Sequence, residues 1–181
     1  VILSQHLKKQ GEFIWRLANG IDSSLVEAEP AANKGYGNST TTPFDVTDAE
    51  TAKVVLLALA ETVGSRLRKD DVKVSVISVG IRYSDLSYCS HQRVIEIATN
   101  ITNEIHQIAA GVFDELWNGK PIRLLGICAS MLVPVTEPRQ MSLFELQEEK
   151  TQSEKQQKLD LALDSLRDKY GKDIIKRGSL Y

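Results

Sequence analysis

The sequence has few of the residues that would mark a disulfide scaffold, a membrane anchor or a strongly basic binding protein. Its two cysteines, Cys89 and Cys128, lie in no C-x-x-C spacing, so we interpret them as reduced thiols, with a single disulfide as the alternative. No apolar run approaches the ~18 residues of a membrane span, and we expect no membrane partner. The formal net charge is only −2. Any nucleic-acid-binding face must therefore be local.

The sequence also lacks the residue groupings that carry chemistry. His6, His91 and His106 share no metal-ligand spacing. No Ser/His/Asp arrangement is visible, nor a pair of carboxylates at two strand ends where Mg²⁺ would bind. Gly35 and Gly37 lie on a predicted strand, without the third glycine and the lysine of a phosphate-binding loop. We therefore expect this chain to have no catalytic activity and to bind no cofactor.

The first part of the chain predicts a helix followed by a linker. Residues 1–21 contain a helix that stops at Gly20, and residues 22–33 are polar and interrupted by proline. The helix has an apolar face that is large for its length, formed by Phe13, Ile14, Trp15, Leu17 and Ala18. Since the chain opens at Val1 without methionine or a signal-peptide pattern, we expect it to begin inside a longer protein.

Residues 34–137 predict one α+β domain. Strands are predicted at 34–42, 72–83, 88–97 and 122–132, and the apolar periodicity of two helices spans 52–67 and 101–117. A capping box, T-D-A-E at 47–50, precedes the first helix. Each helix and each strand has one apolar face. Those faces must meet in a two-layer sandwich, a four-stranded sheet with two helices on one face in the β-α-β-β-α-β, ferredoxin-like order.

The second face of this sheet has no helix left to cover it, and it is the first candidate for a binding surface. The expected outward positions combine small or polar residues with a cation: Asn38 or its neighbours, Gly80, Arg82, Gly126 and Ser130. Such a face suits a phosphate backbone, since it permits close approach and offers an Arg fork. An ordinary solvated sheet face is the alternative.

The last part of the chain, 138–181, predicts a flexible tail with one short helix. Residues 136–158 are rich in Glu, Gln and Lys, which is typical of disorder. The exception is Q-M-S-L-F at 140–144, whose apolar side chains have no periodic partner. Such a cluster is either accidental or an anchor for another protein. The helix that follows ends near Gly171, and its apolar positions recur at helical spacing: Leu159, Leu163, Leu166 and Tyr170.

Five segments of the chain form a family pattern when taken in order. They are F-I-W-R-L-A-N-G-I-D at 13–22, T-P-F-D-V-T-D at 42–48, I-R-Y-S-D-L at 81–86, P-I-R-L-L-G-I at 121–127 and the tail at 159–180. Together they resemble the C-terminal part of bacterial Y-family (DinB/UmuC-like) translesion DNA polymerases. That part comprises the end of the thumb, the little-finger domain and the C-terminal tail.

The resemblance implies that residues 34–137 are a little finger, which lies along template–primer DNA and tolerates damaged bases. By motif, Arg82 and Arg123 are the expected phosphate contacts. Further expected DNA contacts are Lys34, Tyr36, Gly37, Asn38, Ser39, His91 and Arg93. The run C-S-H-Q at 89–92 departs from the T-R-S-like run of the family.

The resemblance also implies a parent protein, a DNA-directed DNA polymerase that uses Mg²⁺ and acts in DNA repair in the cytoplasm, at the nucleoid. Its palm and fingers, with the metal-binding carboxylates, are not in this chain. The segment 140–144 resembles the Q-L-[SD]-L-F motif that binds the bacterial sliding clamp. In that motif Gln140 would bond at the rim of the clamp pocket and Leu143 and Phe144 would fill it, while Met141 replaces the usual Leu.

Two other classes of protein share the predicted element order. A ferredoxin-like RNA- or ligand-binding module unrelated to polymerases would present stacking aromatics, but Asn38, Ser39 and Thr40 follow K-G-Y-G at 34–37. A small enzyme of acylphosphatase-like fold would need a phosphate-cradling loop and a catalytic Arg/Asn pair, neither of which is visible.

Overall fold

The structure is a computed structural model that describes residues 2–26, 28, 32–136 and 149–178. The chain divides into two compact units, Val1–Ala32 and Asn33–Tyr181. The first unit contains helix α1 (Ile2–Ala18), whose helical geometry is interrupted at Lys8. Residues 21–26, in the predicted linker, form neither helix nor strand.

The second unit contains all the strands of the described chain. Its elements are β1 (Gly35–Val46), α2 (Ala49–Lys69), β2 (Val72–Tyr83), β3 (Tyr88–Thr99), α3 (Thr102–Leu116), β4 (Ile122–Pro134) and α4 (Glu149–Tyr170). The strands form one four-stranded sheet in the order β1-β4-β2-β3, with every neighbouring pair antiparallel. The α+β class and the element order β-α-β-β-α-β are therefore confirmed, and α4 adds a third helix to this unit.

The core lies between the sheet and the helices α2 and α3. Strand β2 shows the predicted alternation, because Ile77, Val79 and Ile81 are fully buried while Ser78 and Gly80 lie on the opposite face. The helices contribute the largest apolar side chains of the same cluster: Leu56, Leu67, Ile105 and Phe113. One apolar layer therefore joins the two helices to one face of the sheet, and neither α2 nor α3 covers the other face.

Strand β1 runs further than predicted. The predicted strand stopped before Pro43, but β1 continues to Val46. Proline is tolerated here because β1 is an edge strand and its pairing with β4 is irregular between Thr41 and Val46. The missing N–H of Pro43 therefore interrupts no regular part of the ladder.

The start of α2 corrects the predicted capping box. The N-cap is Asp48, not Thr47, and the Asp48 Oδ1 atom accepts the backbone N–H of Thr51 at 2.7 Å. Asp48 has extended backbone angles, so the helix begins one residue later than a Thr47 cap requires. The N–H of Thr51 also holds the pKa of the Asp48 carboxyl below its usual value.

Helix α4 lies against the helix layer through charged side chains. Arg68 on α2 donates from Nε to Asp164 Oδ2 at 2.6 Å and from Nη1 to Asp160 Oδ2 at 3.3 Å. The Arg68 and Asp160 side chains are only 4% and 2% exposed. Asp160 also accepts the backbone N–H of Thr102 at 2.8 Å, and Arg68 donates to the carbonyl of Asn100 at 2.7 Å. We call Arg68, Asp160 and Asp164 the α4 anchor.

The segment after α4 adds a second contact to α2. The Glu61 carboxylate accepts a hydrogen bond from Arg177 Nε at 2.8 Å and lies 3.4 Å from Arg167 Nη2. Arg167 in turn donates to the Ile175 carbonyl at 3.0 Å. The helix itself begins at Glu149, well before the predicted start near Leu159, because Glu, Lys and Gln are strong helix formers even where apolar side chains are scarce.

We expect Arg68→Met to destabilise the second unit by about 3 kcal/mol or more, because it removes the nearest cation from the buried Asp160 and from the partly buried Asp164. The matched control is Lys53→Met on the same helix, whose pair with Asp114 is partly exposed. That change should cost less than about 1 kcal/mol. Urea unfolding of the whole chain measures both variants. Equal midpoints for the two variants would show that the α4 anchor contributes no more than a surface pair.

Candidate nucleic-acid interface

The sheet face opposite α2 and α3 is built mostly from small side chains. We call this surface the open face. The pairing of β1 with β4 and of β4 with β2 places these residues on it: Gly35, Gly37, Ser39, Thr41, Leu124, Gly126, Cys128, Ser130, Ser78, Gly80 and Arg82. The β2–β3 pairing adds Tyr88, Ser90 and Gln92. Such a surface lets a polymer backbone approach closely and offers hydroxyl and guanidinium donors.

Arg82 is the predicted phosphate contact that the structure places on the open face. Its side chain is exposed, and Nη1 donates to the Leu86 carbonyl at 3.3 Å. The guanidinium carbon lies 5.6 Å from the centre of the Tyr88 ring, within the range of a cation–π interaction. Neither neighbour carries a negative charge, so the guanidinium charge of Arg82 is not neutralised by them.

The turn that follows Arg82 is held by Asp85. This carboxylate accepts the Ser87 backbone N–H at 2.9 Å, the Ser87 hydroxyl, and Lys120 Nζ at 3.2 Å. These donors lower the pKa of Asp85 from 3.8 to about 2, with the Ser87 hydroxyl the largest cause. A lowered carboxyl pKa stabilises the fold above the unfolded value and loses that contribution as the pH falls towards 2. The turn is therefore fully braced at neutral pH.

Arg123 lies on β4 at the same end of the sheet, next to Leu124, the register partner of Arg82, and it has a carboxylate partner. It donates from Nε to Asp45 Oδ1 at 2.9 Å and from Nη2 to Asp45 Oδ2 at 3.2 Å. This fork lowers the pKa of the Asp45 carboxyl and raises the pKa of Arg123. Both side chains remain partly exposed. A phosphate that binds Arg123 must share it with Asp45 or displace that carboxylate.

His91 and Arg93 do not lie on the open face. Their register partners, Val79 and Ile77, are buried core residues, so both side chains point towards the helices. There Arg93 Nη2 lies 2.6 Å and His91 Nε2 lies 3.5 Å from the carboxylate of Glu115 on α3. The alternation of β3 thus places both side chains away from the open face, and their expected role as DNA contacts stays a prediction.

The predicted residues of β1 divide between the two faces. Gly37 and Ser39 lie on the open face, opposite Cys128 and Gly126. Tyr36 and Asn38 lie on the helix side, as the alternation of a strand requires. Lys34 is exposed and immediately precedes β1.

On the helix side, Tyr36 donates its hydroxyl to Asp70, which raises the pKa of Tyr36. The same Tyr36 oxygen accepts the Asn33 amide at 2.9 Å. Of the expected outward position at Asn38 or its neighbours, the structure thus selects the neighbours Gly37 and Ser39, and the DNA-binding role of Tyr36 and Asn38 stays a prediction.

The expected clamp-binding residues Gln140, Met141, Leu143 and Phe144 lie outside the described residues. Within residues 2–26, 28, 32–136 and 149–178, no group of three or more His, Cys, Asp and Glu side chains could hold a metal ion. No helix in this part of the chain is long and apolar enough to cross a membrane.

Sequence reasoning missed two side chains beside the predicted arginines, Asp45 and Tyr88. Tyr88 could have been found, because a short turn after Tyr83 places it opposite Arg82 in the hairpin. Asp45 could not, since its pairing with Arg123 depends on the irregular end of β1.

Comparison with known proteins gives one consistent family. Residues 33–143 match the impB/mucB/samB family C-terminal domain. The DNA polymerase IV of Clostridium acetobutylicum is 38% identical over 99% of this chain and 44% of its own length. The DNA polymerase IV of Clostridium kluyveri is also 38% identical, over 98% of this chain and 46% of its own length. The chain thus spans less than half the length of these relatives.

A solved structure also aligns with this chain. It is described as a complex of beta-clamp processivity factor and the little finger domain of PolIV. The match covers 60% of this chain and 97% of that chain, with 21% identity and a TM-score of 0.47. The family relation rests on the sequence matches.

The pairing of Arg123 with Asp45 has a direct test. Arg123→Met should raise the pKa of the Asp45 carboxyl towards 3.8, because the guanidinium donors are its main cause of lowering. An NMR pH titration of the side-chain carboxyl carbons measures this. Asp48 is the internal control, since the Thr51 N–H lowers its pKa and should continue to do so. Unchanged titration of Asp45 in the variant would contradict the pairing in solution.

Proposed function

The chain belongs to the family of impB/mucB/samB C-terminal domains, and from this we propose that it is the DNA-holding little-finger region of a translesion DNA polymerase. Template–primer DNA lies along the open face in this proposal. The observation that carries it is the exposed Arg82 among glycines and hydroxyls on a sheet face that neither α2 nor α3 covers. Family membership favours this function over an unrelated RNA- or ligand-binding module.

The proposed grip acts on phosphates and not on base sequence. Gly37 and Gly126 leave room for a DNA backbone to approach the sheet, whereas the space above Gly80 is taken by the ring of Tyr88. Arg82 then donates its free N–H groups to a phosphate, and Arg123 adds a second contact by sharing or leaving Asp45. Phosphate contacts position a duplex without reading its bases. A domain that holds DNA in this way tolerates a damaged base.

The rest of the parent protein supplies the chemistry in this proposal. The relatives named DNA polymerase IV are more than twice as long as the part that this chain matches. We place the catalytic carboxylates and the Mg²⁺ ions of phosphoryl transfer in that remaining part. The chain by itself then holds DNA and performs no nucleotidyl transfer.

The segment 140–144 is proposed to bind the bacterial sliding clamp. The support is its sequence, Gln140 followed by three apolar side chains and a serine at the spacing of the motif it resembles. Leu143 and Phe144 would fill an apolar pocket, and Gln140 would hydrogen-bond at its rim. The little finger and the clamp contact would then serve one purpose, which is to keep the polymerase on its template.

We expect DNA binding to be weak and more dependent on salt than on sequence. If about 3–5 phosphates are contacted, log K should fall with log salt at a slope of about −3 to −4.5. Arg82→Ala and Arg123→Ala should each weaken binding on any sequence, and Arg82→Ala should reduce the slope by about 0.9. Fluorescence anisotropy with two unrelated duplexes measures this.

The matched control is Lys53→Ala, which removes a cation from the helix layer and should leave binding unchanged. Affinity that stays flat between low and high salt, or that the arginine variants leave intact, would rule out the open face as the DNA surface.

We expect the segment 140–144 to bind the sliding clamp with roughly micromolar affinity, because a short peptide loses its freedom on docking. Leu143→Ala and Phe144→Ala should each cost about 2 kcal/mol or more. Met141→Leu is the control and should bind at least as well, since Leu has similar volume. Calorimetry of the whole chain against the clamp gives the result. Wild-type protein that releases no heat with the clamp would show the resemblance to be accidental.

A further inference from the structure

The ring of Tyr88 occupies the space above Gly80. A Cβ atom on Gly80 would lie 2.5 Å from the Tyr88 hydroxyl and 3.2 Å from the ring atoms Cε2 and Cζ. Tyr88 is the direct register partner of Arg82, so its ring reaches diagonally across β2 to the residue two positions away. The glycine is therefore required by the ring, because any side chain at position 80 would push the ring off the sheet.

The same ring supports Arg82. The Arg82 guanidinium carbon lies 5.6 Å from the ring centre, and Nη1 donates to the Leu86 carbonyl at 3.3 Å. An arginine has five N–H donors. Among the described residues, no acceptor other than Leu86 hydrogen-bonds the Arg82 side chain. The guanidinium is thus fixed at two points while most of its donors remain available.

The Leu86 carbonyl, which accepts the hydrogen bond from Arg82, is itself held in place. Leu86 has a positive φ of 66°, which a leucine adopts only when its surroundings impose it. Those surroundings are the turn braced by Asp85 and closed by the bond from the Tyr83 N–H to the Ser87 carbonyl at 2.9 Å. A strained residue thus directs its carbonyl towards Arg82.

We propose that Tyr88, seated on Gly80, is a positioning residue that holds the Arg82 guanidinium in the orientation in which it meets a DNA phosphate. The inference rests on the proposed function, since the phosphate belongs to the DNA that the open face binds. A free arginine side chain loses rotamer freedom when it binds, and a pre-oriented one loses less. Stacking on an aromatic face fixes the plane of the guanidinium and so the direction of its fork.

Two variants separate this role from a direct contact by the Tyr88 hydroxyl. Tyr88→Phe keeps the ring and removes the hydroxyl, so it should bind DNA as the wild type does. Tyr88→Ala removes the ring and should weaken binding about 2- to 5-fold, the usual contribution of an exposed cation–π pair. Gly80→Ala keeps Tyr88 but displaces its ring, and it should weaken binding in the same range.

The double variant tests whether Tyr88 acts through Arg82. Anisotropy with the whole chain and a template–primer duplex compares Arg82→Ala with Arg82→Ala/Tyr88→Ala. If Tyr88 only positions Arg82, the second change should have no further effect. The inference would be overturned if Tyr88→Ala still lowered the DNA affinity in the Arg82→Ala background. It would also be overturned if Tyr88→Phe lowered the DNA affinity as much as Tyr88→Ala does.

A readout without DNA distinguishes this inference from the proposed function. The Arg82 side-chain protons should show a ring-current shift in the free wild-type protein and in Tyr88→Phe, and should lose it in Tyr88→Ala and Gly80→Ala. Absence of that shift in the wild type would overturn the positioning role alone. If the shift is present but Arg82→Ala binds DNA as tightly as the wild type, the open face is not the DNA surface. The positioning role then fails with it.

Discussion

The pairing of β2 with β4 at the centre of the sheet decides where the side chains of the candidate site lie. Val79 lies opposite Ile127 and both are buried under the helices, so Gly80 and Gly126 must face the other way. A slip of one residue would turn the apolar set outward and bring Arg82 under the helices. The exposure of Arg82 therefore follows from the burial of its neighbours, and no contact of its own is needed to explain it.

The same constraint explains what could be predicted from the sequence and what could not. Alternation along β2 was strong enough to place Arg82 correctly. The order of the strands depends on tertiary pairing that no local pattern contains, whereas the register of β3 against β2 follows from the short turn that joins them. His91 and Arg93 were expected as DNA contacts from the family resemblance, which does not say on which face they lie, and Tyr88 was overlooked although the hairpin places it opposite Arg82. The cap at Asp48 was missed by one residue, which is the usual uncertainty of a helix end.

Helix α4 shows a different limit of sequence patterns. Its contact with the helix layer uses Asp160 and Asp164 against Arg68, although amphipathic helices usually dock by their apolar side chains. Several apolar residues of α4, including Leu159 and Leu166, remain exposed. Buried ion pairs contribute less to stability than apolar contacts of the same size. A buried charge that loses its partner is costly, however, so the ion pairs favour one docked position of α4 over others. The folded unit therefore continues past residue 143, where the match to the family ends.

The partners of the cations bear on how firmly the proposed little finger holds DNA. Arg123 lies beside Asp45, Lys120 beside Asp85 and Arg93 beside Glu115, whereas Arg82 lies beside a carbonyl and a ring. A phosphate can approach Arg82 without displacing a carboxylate, but it must compete with one at Arg123. Of these four cations only Arg82 has no carboxylate beside it, so the proposed grip on DNA should be weak when the domain acts alone. Within the longer polymerase that we propose, such a weak grip would be sufficient, because a covalent link would keep the domain at high effective concentration near the DNA. It would also permit movement, since a phosphate contact that is easily broken can be made again at the next nucleotide.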